Sequence, residues 1–164
     1  MFTFRSLITG VTVVAVGAGA AATLAATGTA SAGTAGSARA ASFTVRAHHS
    51  SETSLDLGKS GFSAGDQDLF TGPLTQNRTH AGSYAGTCTT ARVGRKSADQ
   101  LCTFVLHLAH GQIMASGATR SGASGPGTFA LPILGGTGRY QTAAGQIAVT
   151  PSNGKTFPIA VTLR

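Results

Sequence analysis

The side chains able to move protons are few: five acids, five histidines and two tyrosines in 164 residues, with two cysteines besides. Asp66 and Asp68 sit together in Gly65-Asp66-Gln67-Asp68, at the entrance to an alternating segment. A carboxylate there could orient or protonate a substrate, although Asp beside Gly more often caps a turn. Asp68 is kept as a pocket candidate on that basis, while Asp56 and Glu52 carry a weaker signal. His48 and His49 are adjacent on one extended segment, so they point to opposite faces; parity with Phe43, Val45 and Ala47 makes His49 the inward one. His80, His107 and His110 are scattered, and Cys88 and Cys102 lack the close spacing of a metal-ligand pair, so no metal is expected. No nucleophile elbow, zinc-protease helix or glycosidase-like carboxylate pair is visible. Tyr84 shares parity with Cys88 and can present its hydroxyl to a bound molecule, whereas Tyr140 falls in a turn and packs at a rim.

These residues lie on strands. After about residue 42 no stretch keeps apolar residues at helical spacing, while period-two alternation recurs. The clearest series is Phe157, Ile159, Val161 and Leu163, and the next is Phe104 with Leu106, all expected to face inward. Pro158 implies an edge or seam, because it cannot donate to a ladder. Strands are expected over Phe43–His49, Asp68–Thr75, Ser83–Val93, Leu101–Ala109, Gln112–Thr119, Thr128–Leu134, Gln146–Thr150 and the last segment, separated by glycine-rich turns. About eight antiparallel strands around one core favour a closed barrel, which removes exposed edges, with a β-sandwich as the alternative. Such a barrel is filled by side chains or holds one small ligand.

Arg5 followed by an uncharged run from Leu7 to about Ala26, then Ala30-Ser31-Ala32, has the pattern of a secretion signal cleaved after Ala32. Glycines and alanines dilute the run and no basic stop-transfer cluster follows, so no membrane insertion is expected after cleavage. Residues 33–42 read as a flexible lead-in and 43–164 as one domain. Only Arg5 among the 12 basic residues falls in the leader, leaving 11 against 5 acids, a net +6 that is scattered rather than clustered. Nucleic acid is therefore not an expected partner. In an oxidising compartment the two cysteines are expected to pair, and their midpoint at Arg95, within the turn Gly94-Arg95-Lys96-Ser97, places Cys88 opposite Cys102 on a hairpin.

The segments FTGPLTQN, AGSYAGTCTTARVG, HGQIMASG and LPILGGTGRYQTAAGQI, in this order, resemble the allene oxide cyclase and dirigent superfamily over roughly Phe43 to Leu163. The GGTGRY turn of Gly135 to Tyr140, followed by Ala144-Gly145-Gln146, is the most specific part, and Phe70-Thr71-Gly72-Pro73-Leu74-Thr75 the next. The resemblance implies an eight-stranded barrel, often oligomeric as a trimer or dimer, whose lumen takes a hydrophobic molecule and guides cyclisation or coupling without a cofactor. The chain departs from the family where its chemistry resides: Thr71, Gly72 and Ala144 stand where dirigents carry aspartates and an arginine, and Gly72 stands where cyclases carry an asparagine. Gly86-Thr87-Cys88 resembles a cyclase stretch with a free pocket cysteine, a role that a disulfide removes. Gly135, Gly136 and Gly138 are read as structural, supplying positive φ, and a phosphate site there is not expected. Any ligand site is expected near Tyr84, Cys88, Phe104, Leu106, His49 and Asp68. Two functions follow: a secreted barrel binding a small hydrophobic molecule, with or without catalysis, or a non-catalytic secreted or envelope scaffold that self-associates.

Overall fold

The structure, a computed structural model, describes residues 42–122, 125–152 and 155–164. The expected leader, and the lead-in up to residue 41, lie outside the described residues. The strands are β1 (Ser42–His48), β2 (Ser51–Leu55), β3 (Gln67–Gln76), β4 (Thr79–Val93), β5 (Ser97–Leu108), β6 (Gly111–Gly122), β7 (Gly125–Pro126), β8 (Phe129–Gly136), β9 (Gly145–Val149) and β10 (Thr156–Leu163), with a short 3-10 turn at Gly138–Tyr140.

Every pairing is antiparallel, and the circuit β1-β10-β9-β8-β6-β5-β4-β3 closes where Arg46 and Ala47 of β1 meet Thr75 and Leu74 of β3. The protein is thus a closed eight-stranded barrel, and the sandwich alternative is excluded. β2 continues β1 after a break at His49-Ser50, and the chain changes partner there: β1 pairs with β10 along its whole length, whereas β2 pairs with β3. Gly72 is needed at this seam, because a Cβ on it would run into the His48 carbonyl oxygen.

Pro158 is not at an edge, since β10 is paired on both sides. Its carbonyl accepts from the Thr150 N–H, one residue past the end of β9, so the donor it lacks faces a point where that ladder has already stopped. Alternation puts the core inside. Leu74, Tyr84, Leu106, Ile113, Leu131, Ile147 and Ile159 are fully buried and fill the middle of the lumen, while Phe43, Phe157 and Leu163 are half-buried toward its ends. The inward series expected on β5 and β10 is present as read.

Candidate functional site

The lumen is plugged at mid-height and hollow at both ends. At one end is a cavity of about 370 Å³, with Phe70, Phe104, Phe129, Phe157 and Val149 among its apolar lining. The aromatic rings stabilise one another: Phe104 lies between Phe70 and Phe129, with centroids 5.1 and 6.2 Å away, and Tyr84 meets Phe157 edge-on at 5.6 Å. Phe70 leans over Gly86, the residue opposite it on β4, where a Cβ would collide with its ring. The polar residues of the lining are His49, Glu52, Gln100, Ser152 and Lys155, with Thr119 buried in the wall beside Cys102.

At one side of this cavity three side chains form a chain of hydrogen bonds. The Tyr84 hydroxyl is 3.4 Å from His49 Nδ1, and His49 Nε2 is 3.0 Å from Glu52 Oε2. In an unbroken strand residues 49 and 52 would face opposite sides. The break at His49-Ser50 resets the parity, so the inward set runs Val45, Ala47 before it and Glu52, Ser54 after it, the latter two opposite Phe70 and Asp68. His49 and Glu52 consequently both line the cavity. The Tyr84 ring is completely buried, and that burial, with the Glu52 charge adding to it, pushes its phenol above the ordinary value of 10.0.

Cys88 and Cys102 are bonded to each other across β4 and β5, and the bridge forms part of the cavity wall. Neither thiol is free, so a pocket-thiol role has no group to perform it. Next to the turn the pairs are Arg92 with Asp99 and Val93 with Ala98, centred between Arg95 and Lys96 rather than on Arg95; the bulge between Thr90 and Arg92 then shifts the register by one residue, and that shift sets Cys88 opposite Cys102.

His49, Cys88 and Phe104, among the residues singled out from sequence, therefore line the same cavity. Tyr84 sits behind the cavity wall and touches it through His49, and Leu106 lies deeper, in the plug. Asp68 is on the inward side at the rim but is engaged by the Ser54 hydroxyl at 2.6 Å. Asp66 clamps a loop: it accepts from the Ser63, Gly58 and Leu57 N–H groups, with the Ser63 hydroxyl beside it, and these bonds hold its carboxyl below the ordinary value. Glu52, ranked below Asp68 from the sequence, lines the cavity while Asp68 does not, and the residues that sequence reading missed are Phe70, Phe129 and Lys155. For the two phenylalanines the signal was available, since Phe70 shares parity with Leu74, and Phe129 with Leu131 and Ile133.

The opposite end holds a second cavity of about 520 Å³, with Phe43, Leu108, Tyr140 and Leu163 beneath His80, His110 and Arg139. The glycine-rich turn closes this end. Gly135 and Gly138 have positive φ as expected, but Gly136 does not; it is required because a Cβ would meet the Gln112 carbonyl oxygen. Among the described residues no three His, Cys, Asp or Glu side chains come together as metal ligands would.

No protein-family model matches the chain, and no curated protein does either. Solved structures do. A pyocyanin demethylase superposes with a TM-score of 0.67 at 24% identity, covering 76% of this chain and 100% of its own. The Diels-Alderase AbmU from Streptomyces koyangensis gives 0.63 at 19%, covering 78% and 70%. The pterocarpan synthase dirigent protein PsPTS1 gives 0.58 at 12%, covering 77% and 94%. At these identities the likeness is one of fold, and the fold is the barrel shared by dirigent and cyclase proteins.

Proposed function

We propose that this barrel is exported and binds a small, flat hydrophobic molecule in the phenylalanine-lined cavity, holding it in one conformer so that it cyclises or couples with a single outcome. The observation that carries this reading is the cavity itself: four phenylalanines around a space of about 370 Å³, with Val149 and the Cys88–Cys102 bridge also in its wall. That volume falls in the range of about 300–1,000 Å³ typical of small-ligand sites. An apolar ligand gains roughly 25 cal/mol for each Å² withdrawn from water, and rigid aromatic walls restrict how it can turn. Structural neighbours that include a Diels-Alderase and a pterocarpan synthase dirigent protein support a guiding role for such a lumen. The leader pattern, Arg5 to Ala32, supports export.

A second reading, self-association, has its own support. Leu69, Leu101, Met114 and Leu134 are exposed on the outer wall, Leu134 at 62%, and no charged residue lies among the outward positions of β5 and β6 from Leu101 to Val105 and Met114 to Ala118. The two readings are compatible, because one uses the lumen and the other the exterior.

Both are tested by secreting the full chain from a bacterial host and recording native mass spectra of protein from the medium, where a multimer of the chain supports self-association and a monomer at every concentration contradicts it. The expected result is a chain beginning at Gly33 that binds N-phenyl-1-naphthylamine, with binding lost in Val149→Trp. Retention of the whole leader, or equal probe binding in that variant, contradicts the proposal.

A further inference from the structure

Confinement alone has no use for a histidine and a glutamate held together at the edge of an aromatic cavity. We propose that His49 and Glu52 form a proton-accepting pair, buttressed by Tyr84, for a ligand bearing a phenolic or enolic hydroxyl. The inference rests on the reading that the cavity holds an aromatic ligand.

The hydrogen-bond pattern assigns the protons. A carboxylate only accepts, so the His49 nitrogen 3.0 Å from Glu52 Oε2 carries a hydrogen. In neutral His49 the other nitrogen is then a lone pair, and the Tyr84 hydroxyl donates to it. Tyr84 is the fixed end of this chain, its ring packed between Phe70 and Phe157 without exposure to water. Glu52 is the solvent-facing end, with a half-exposed side chain. Its second oxygen, Oε1, takes no hydrogen bond among the described residues. Lys155 on the same rim is the cation available to an oxyanion formed there.

The chemistry is an isomerisation. The ligand O–H bond breaks and its proton passes to Glu52 Oε1. The oxyanion attacks an electrophilic carbon of a conjugated carbonyl within the same molecule, forming one bond while the C=C pair shifts to make an enolate. Glu52 returns the proton to that enolate carbon. No oxidant or reductant enters, and the product has the formula of the substrate. Glu52 is the catalytic residue of this step. His49 orients its carboxylate and Tyr84 is a positioning residue that acts through His49.

The test uses 2-naphthol, whose bound form reports proton transfer by long-wavelength naphtholate fluorescence, with naphthalene as a probe of the cavity alone. The native protein is expected to give naphtholate emission from bound 2-naphthol. Glu52→Gln is expected to abolish that emission and weaken 2-naphthol by about tenfold, the loss of one charge-assisted hydrogen bond, with naphthalene bound as before. Tyr84→Phe, which keeps the buried ring, is expected to lower the naphtholate fraction without changing naphthalene affinity. Identical emission in the native protein and Glu52→Gln overturns the proton-accepting pair while leaving the cavity reading intact. Failure of both probes to bind overturns the two together.

Discussion

Cys88 and Cys102 stand directly opposite each other on β4 and β5, bonded through their sulfurs, with both residues on the wall of the phenylalanine-lined cavity. The bridge closes a hairpin loop with a sequence separation of 14, which in the chain-entropy account stabilises by roughly 3 kcal/mol. The double variant Cys88→Ala, Cys102→Ala is therefore expected to unfold at lower urea by about that amount. Intact mass should show two hydrogens gained on reduction. Two alkylatable thiols in the unreduced, denatured protein would refute the bridge.

Phe104 is 3% exposed and lies between Phe70 and Phe129, so its removal leaves a void that the barrel cannot collapse to fill. Phe104→Ala is expected to cost about 3–5 kcal/mol by urea unfolding. An unchanged midpoint would show that the ring bears no packing load.

Gly86 gives Phe70 room to lean over β4. Gly86→Ala is expected to push that ring into the cavity, destabilising by about 1–3 kcal/mol and weakening any apolar probe. Gly127, where a Cβ would meet nothing within 4 Å, is the control: Ala there should change neither quantity.

Two carboxyls set the acid limit. Asp99 is held below the ordinary value of 3.8, first by the Arg120 guanidinium and then by Arg92, and Asp66 is held below it by the loop N–H groups. A depressed folded-state value means that the folded chain releases these protons more readily than the unfolded one. Their contribution is complete above pH 3.8 and fades as the pH falls below it. Melting temperature should hold from neutral to about that point and drop beyond it. Asp99→Asn should lower the neutral plateau and make the acid fall shallower, by a small amount because the network is exposed.

Much of the barrel was legible because inward residues alternate cleanly. Ile159 and Val161, or Phe104 and Leu106, announce their face without help from the rest of the chain. β2 was not legible: Ser51–Leu55 is exposed at every position and carries no apolar alternation. The pairing of His49 with Glu52 was hidden for a deeper reason. Parity arguments assume an unbroken strand, and the break at His49-Ser50 exists because the chain leaves β10 for β3 at the seam, a property of barrel closure rather than of local sequence. Pro158 misled for a similar reason, since its missing donor is tolerated by where β9 ends, 9 residues earlier in the chain.

A ligand that is guided by the phenylalanine cage must sit inside it. Isotope-labelled protein saturated with naphthalene, examined for intermolecular nuclear Overhauser contacts, decides it directly. Contacts to Phe70, Phe104, Phe129, Phe157 and Val149, with none to Phe43, Leu108, Tyr140 or Leu163, are the predicted result. Contacts confined to the second set would place binding at the opposite end of the barrel and contradict a ligand site among the phenylalanines, as would the absence of any contact at saturating naphthalene.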